Sequence, residues 1–333
     1  MKIDAFCHIM PRPYYDRFFT LDETVHAANL RKRVANIPCL VDMDVRFAQM
    51  DEFGDYRQLI NICAPPVEDL GSPEISRQMA RIGNEALAEL VRSHPDRFAG
   101  FCACMPMDDP DAAVAELEYA TSELGAVGAQ IYTHVHGEAM DAARFDPFYA
   151  AAARSGSLVQ VHPCRSSAWA DYPTEQRSRY EIWWTFGWEY DLSAFMARIV
   201  FSGVLERYPD LKLLIHHGGS MVPHFSGRVG PVWDQLGART PPSSGRTSRP
   251  TRCRAGPSSI SGRCTATPPC SGPPTRCAAA STSTAPTTSC SAPTARSTPS
   301  AGPATSARRS GTWRRSGSVR RSGKRYSTAT SRA

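Results

Sequence analysis

The sequence predicts an α/β protein of the TIM-like (β/α)8 barrel kind, carried through about six of its eight β/α units and followed by a disordered C-terminal tail. Three observations predict it. Six short apolar runs alternate in order with segments of helical periodicity, the pattern that gives a parallel sheet with helical crossovers. The sixth run lies in Leu211–Arg228 (LKLLIHHGGSMVPHFSGR) and ends in two histidines and two glycines. That is how a buried strand delivers side chains to the C-terminal mouth of a barrel. After Thr240, finally, the composition changes altogether.

Lys2–Ile9 (KIDAFCHI) is the first predicted strand, closed by Pro11, with His8 near its end. In Val41–Gly54 the apolar side chains Val45, Phe47, Met50 and Phe53 fall on one helical stripe, and the glycine ends it. Tyr56–Cys63 is the second strand. The next helix, about Pro73–Ser93, has Ser72 and Pro73 as its start signal, because a serine caps free amides and proline suits the first turn. Phe98–Met105 is the third strand, Asp111–Leu124 the helix that Gly125 ends, and Ala129–Thr133 the fourth strand, leading into His134 and His136. A short helix near Pro147–Arg154 returns the chain to strand five, Leu158–Val161, which ends at His162-Pro163. The aromatic segment Tyr180–Tyr190 and one helix over about Leu192–Arg207 precede strand six.

Charge divides the chain at the same point as composition. The first 240 residues carry 22 Lys and Arg against 32 acidic residues, a net of −10; the last 93 carry +16. We therefore place a truncated barrel domain in residues 1–240 and a low-complexity basic tail in 241–333. The tail's only large apolar side chains are Ile260, Trp313, Val319 and Tyr326, too few to offset the entropy of ordering it. A basic arm for nucleic acid is the functional reading of such a tail, and codon usage offers another. If Cys290–Thr294 is encoded by GC-rich codons, the DNA read one base upstream gives Leu-Phe-Gly-Thr-Asp, a strand ending in a carboxylate. A frameshift between Leu236 and Ser258 accounts for the missing units, and on this reading no nucleic acid is a partner. The eleven cysteines show no metal-finger spacing, and no run suits a membrane span or secretory signal, so a soluble cytoplasmic protein is expected.

Strand ends of a barrel converge. His8, His162 and either His216 or His217 come from strands one, five and six, so three imidazoles are expected to meet at one mouth. Neutral imidazoles there suit a divalent metal with a position left open, and a histidine outside the metal's shell can move protons. The plainer alternative makes one of His216 and His217 a hydrogen-bonded core residue. Trp183, Trp184 and Trp188 either line an apolar substrate pocket or pack a loop, and His134 and His136 are read as solvated.

The stretches KIDAFCHIMP, VHP at 161–163, SRYEIWWTFGWEYDLSAFMARIVFSGVLERYPDLKL at 178–213 and HHGGSMVPHFSGR at 216–228 resemble the amidohydrolase-related family that includes aminocarboxymuconate-semialdehyde decarboxylase. The resemblance implies a metal-dependent, nonoxidative carboxy-lyase acting on a small unsaturated or aromatic carboxylic acid. A hydrolase of an ester, lactone or amide is the alternative within the superfamily, and an inactive truncated product the alternative outside it. By the same resemblance His8 and His162 are metal ligands, zinc the expected ion, and His217 the acid/base, with His216 its neighbour at the catalytic strand end. Arg228 matches an arginine that reaches a substrate carboxylate across a homodimer; Arg46 is a second carboxylate contact, and Trp184 a substrate-pocket residue. Phe6 stands where the family pattern implies a first histidine, and the strand-eight aspartate is absent from this frame. Two of four implied ligands are present.

Overall fold

The structure, a computed structural model, describes residues 1–21, 25–34, 36–234 and 264–266. All belong to the first of two compact units, Met1–Thr284; the second, Ala285–Ala333, lies outside them. Among the described residues one sheet runs through β1 (Lys2–Ile9), β2 (Tyr56–Ile62), β3 (Phe98–Cys104), β4 (Gly128–Tyr132), β5 (Leu158–His162), β6 (Lys212–Ile215) and a short β7 (Cys264–Ala266). The strands lie in sequence order, every neighbouring pair parallel. This is the half-barrel expected from six units, with one addition: expected disorder at 264–266 is replaced by three residues paired to β6. The open N–H and C=O row of β6 is a template that a backbone of any composition can join. The remainder of the predicted tail, and the proposed frame change, lie outside the described residues.

The predicted crossovers are present as α3 (Met43–Asp51), α4 (Pro73–Ser93), α5 (Pro110–Ser122) and α6 (Asp146–Ser155), and behind β5 stand α7 (Ile182–Thr185), α8 (Gly187–Phe201) and α9 (Val204–Arg207). Asp42 caps α3 by accepting from the amides of Asp44 and Val45 at 3.0 and 3.1 Å. Asp109 caps α5 through Ala112 at 3.1 Å. Ser72, read from the sequence as the cap of α4, makes no side-chain cap hydrogen bond. The single helix expected over Leu192–Arg207 breaks at Gly203, whose φ of 79° favours a residue without Cβ. Further elements escape the sequence reading, among them α1 (Arg12–Phe18), α2 (Val25–Val34) and the two-stranded hairpin His134–Val135 with Glu138–Ala139. The last helix, α10 (Val222–Asp234), follows the glycine turn after β6.

The outer face of the sheet packs against these helices. Met79 and Leu87 of α4, Leu117 of α5 and Leu192 of α8 are fully buried there, each contributing about 1.5–3 kcal/mol by leaving water. Strands β4 and β5 approach closely at Gly128, where a Cβ would stand 1.8 Å from the Leu158 carbonyl oxygen. The inner face is polar. The Gln160 Nε2 of β5 donates to the Ala5 carbonyl of β1 at 2.6 Å, the Asn61 Nδ2 of β2 donates to Gln160 Oε1 at 2.6 Å, and Gln130 Nε2 of β4 donates to the Ile62 carbonyl at 2.9 Å. These amides tie distant strands across the interior, so the sheet is curled rather than flat.

One buried carboxyl works against the fold at high pH. Glu68, after β2, accepts from the Met107 amide at 3.1 Å, while its Oε2 is buried without a partner. Burial, reinforced by Asp108 and Asp69, raises its pKa from 4.5 to about 8. The folded state thus keeps a proton that the unfolded chain loses above 4.5. Its stability contribution is complete below pH 4.5 and is lost as pH rises through about 8, at up to about 1.4 kcal/mol per pH unit. Glu68→Gln is expected to remove this slope and to raise the thermal midpoint at pH 8 by about 5–10 °C. Thermal melts from pH 5 to 9 check it; a variant that melts lower than the parent at pH 8 contradicts it.

Candidate active site

Three imidazoles meet at the C-terminal mouth of the sheet. His8 comes from β1, His162 from β5 and His216 from the residue after β6, and one ligating atom from each lies within 4.8 Å of the others. The amide chain of the interior sets the first tautomer. Because Asn61 donates through Nδ2, its Oδ1 is the acceptor for His8 Nδ1 at 2.7 Å, and the His8 Nε2 lone pair is left facing the other rings. His162 Nδ1 donates to the Pro163 carbonyl at 2.6 Å, which leaves its Nε2 bare as well. Both His8 Nε2 and His216 Nδ1 are buried without a hydrogen-bond partner.

Burial holds these rings neutral. It lowers His8 to about 4, and it lowers His162 and His216 well below their usual range, with repulsion between the rings adding to the effect. Buried, neutral nitrogens with unused lone pairs in mutual reach are the donor set a divalent cation requires, so the residues present fit one. Phe6 stands among them, stacked on His216 with ring centroids 4.1 Å apart.

His217 is turned out of this group. Its φ of 52° swings its ring perpendicular to that of His216, and its Nδ1 meets Glu189 Oε1 of α8 at 2.7 Å. A carboxylate on Nδ1 orients the ring and leaves Nε2 to exchange protons. The sequence grouped His216 with His217 at the catalytic strand end; the geometry separates them, His216 with the imidazole cluster and His217 with Glu189.

One cavity of about 850 Å³ opens onto both groups and is lined by His8, Arg46, His162, Trp184, Glu189 and His217 among others. Arg46 is buried. Its Nε donates to Gln58 Oε1 at 2.7 Å and its Nη1 to the carbonyls of His8 and Cys39 at 2.9 and 3.0 Å, while Nη2 has no partner among the described residues. Trp184 is 45% exposed on the cavity rim, and Trp188, buried, donates Nε1 to the Arg165 carbonyl at 3.0 Å. Arg228 stands exposed on α10 and is not part of the cavity lining.

His134 is not a free loop residue. The Gly137 amide donates to its Nδ1 at 3.2 Å, its Nε2 lies 3.3 Å from Cys164 Sγ, and Trp169 stacks on its ring. His134, Cys164 and Asp191 form a second compact group closed by its own hydrogen bonds, the Asp191 carboxylate accepting from Thr133 Oγ1 and the Cys164 amide. His136 keeps an exposed side chain and reaches the Glu68 carbonyl at 3.0 Å. Sequence reasoning missed Asn61, which sets the His8 tautomer, and Glu189, whose only signal was a carboxylate inside the aromatic segment.

Fold and site together are those of a parallel β/α barrel whose strand-end imidazoles gather at one mouth. Residues 3–243 match the family described as Amidohydrolase, and the chain belongs to that family. It is 31% identical over 216 residues to gamma-resorcylate decarboxylase from Polaromonas sp., covering 60% of this chain and 61% of that protein. Its structure is similar to 5-carboxyvanillate decarboxylase from Sphingomonas paucimobilis, with a TM-score of 0.66, 24% identity and coverage of 80% and 79%. It is also similar to the dihydroxybenzoic acid decarboxylase from Polaromonas sp. JS666, solved with bound manganese and 2-nitroresorcinol, with a TM-score of 0.54, 25% identity and 70% of each chain covered. The chain spans about three fifths of the length of the first curated relatives it matches. The resemblance seen in the motifs is borne out. Among the described residues no helix is long and apolar enough to cross a membrane.

Proposed function

We propose that the chain is a metal-dependent decarboxylase of a small hydroxylated aromatic carboxylic acid. The observation that carries the proposal is the neutral imidazole cluster opening into the same cavity as the His217–Glu189 pair. The reaction breaks the bond between the ring carbon and the carboxylate, consumes one proton at that carbon and releases carbon dioxide. His217 Nε2 delivers the proton; Glu189 holds the ring in position through Nδ1. Arg46 Nη2 offers its remaining N–H groups to a carboxylate or phenolate oxygen. Trp184 supplies an apolar ring at the rim for an aromatic substrate. His8 and His162 would hold a divalent cation, which when bound would supply positive charge to polarise substrate oxygens.

Manganese occupies the Polaromonas relative, whereas the sequence pointed to zinc; imidazole donors accept either, so the proposal is a divalent cation of this class. Exposed on α10, Arg228 fits a role in trans across a dimer. The free cysteines of the body, Cys7, Cys39, Cys63, Cys102, Cys104 and Cys164, suit a reducing cytoplasm. The reading of the tail as out of frame is supported by the family match, which ends at residue 243, inside the interval Leu236–Ser258.

The test is carbon dioxide release from 2,6-dihydroxybenzoate and 5-carboxyvanillate by the full chain supplied with manganese, with proton balance followed in the same vessel. Release with uptake of one proton per turnover is expected. No carbon dioxide from either acid, together with proton release when a small aromatic ester or lactone is supplied instead, would mark a hydrolase and sink the proposal.

A further inference from the structure

We infer that His216 is the third protein ligand of this chain's metal, so that consecutive residues after β6 divide the work: His216 holds the cation and His217 moves the proton. The inference rests on the proposed cation at the mouth and deepens it, because strand-end position alone does not tell the two histidines apart.

Three observations carry it. His216 is 7% exposed, and its Nδ1 is a buried ring nitrogen without a partner. A buried polar atom left unpaired costs about 1–3 kcal/mol, and binding a cation is the use that removes the cost. Second, a ligating atom of His216 lies within 4.8 Å of those of His8 and His162, and no carboxylate or thiol among the described residues joins that group. His217 does not join it either; its Nδ1 is engaged by Glu189.

The third observation is Phe6. Phe6 and His8 are two apart on β1 and both face the cluster, so position 6 is where a second β1 side chain would ligate. A phenyl ring cannot ligate. It lies instead flat against His216, 18° from parallel, and only tilted or edge-on to His162 and His8. Such stacking fixes the plane of the His216 ring and leaves its nitrogen-bearing edge free to meet the other two imidazoles. Three imidazoles with an open position are a complete donor set for a catalytic divalent cation.

Equilibrium dialysis of the full-length chain against manganese(II), repeated with zinc(II), tests the inference. Wild type and His217→Asn are expected to bind one equivalent at the mouth with equal affinity. His216→Ala is expected to bind about 100-fold more weakly, at the upper end of what even an outer-shell loss costs. Adding Phe6→His to His216→Ala returns an imidazole from β1 and is expected to recover part of that loss. Circular dichroism establishes which variants fold, and His216→Asn replaces His216→Ala if the smaller side chain prevents folding. Undiminished binding in a folded His216 variant, with wild type binding, overturns the inference and leaves the proposed function standing. A wild-type chain that binds neither metal overturns both.

Discussion

Replacement of His217 by asparagine is expected to lower turnover of an aromatic carboxylate by about 100- to 10,000-fold without changing metal content. That range is what a positioned general acid contributes. The substitution suits the backbone, since His217 adopts φ 52° and asparagine is among the side chains that tolerate the left-handed region. The ring that Glu189 orients at 2.7 Å is removed, whereas His8, His162 and His216 keep their places. Decarboxylation still generates charge at the ring carbon, but no proton donor stands ready for it. Single-turnover carbon dioxide release, measured beside metal content, checks the expectation. Turnover within threefold of wild type would move the proton donor elsewhere.

His162→Ala acts on the other half of the site. His162 is buried at the end of β5, its Nδ1 committed to the Pro163 carbonyl and its Nε2 facing His8 and His216. Its loss removes the central ring of the cluster and is expected to weaken divalent-cation binding by at least about 100-fold, with carbon dioxide release falling in step. Dialysis against manganese and the same release assay read both effects. A variant that retains tight binding would place the cation outside the cluster.

Much of this site was legible in the sequence because it depends on strand ends. His8, His162 and His216 each terminate an apolar run, and in a parallel sheet such positions converge whatever the intervening helices do. The division between His216 and His217 was not legible. It turns on one residue's positive φ, shared with the two glycines that follow, and on a carboxylate 28 positions earlier. Asn61 was equally silent, since its part in setting the His8 tautomer depends on a chain of amides running from β2 through β5 to β1. The fold shows the same split. Six units followed from local periodicity. The break of the long helix at Gly203 and the pairing of Cys264–Ala266 with β6 depend on a backbone angle and an open strand edge, and neither leaves an apolar pattern.

The most direct test of the site is electron spin-echo spectroscopy of manganese(II) bound to the full-length chain, which detects ligating nitrogens. Modulation from imidazole nitrogens that diminishes in His162→Ala is the expected result. A manganese signal without nitrogen coupling, or coupling that His162→Ala leaves unchanged, would contradict a cation held by the strand-end histidines.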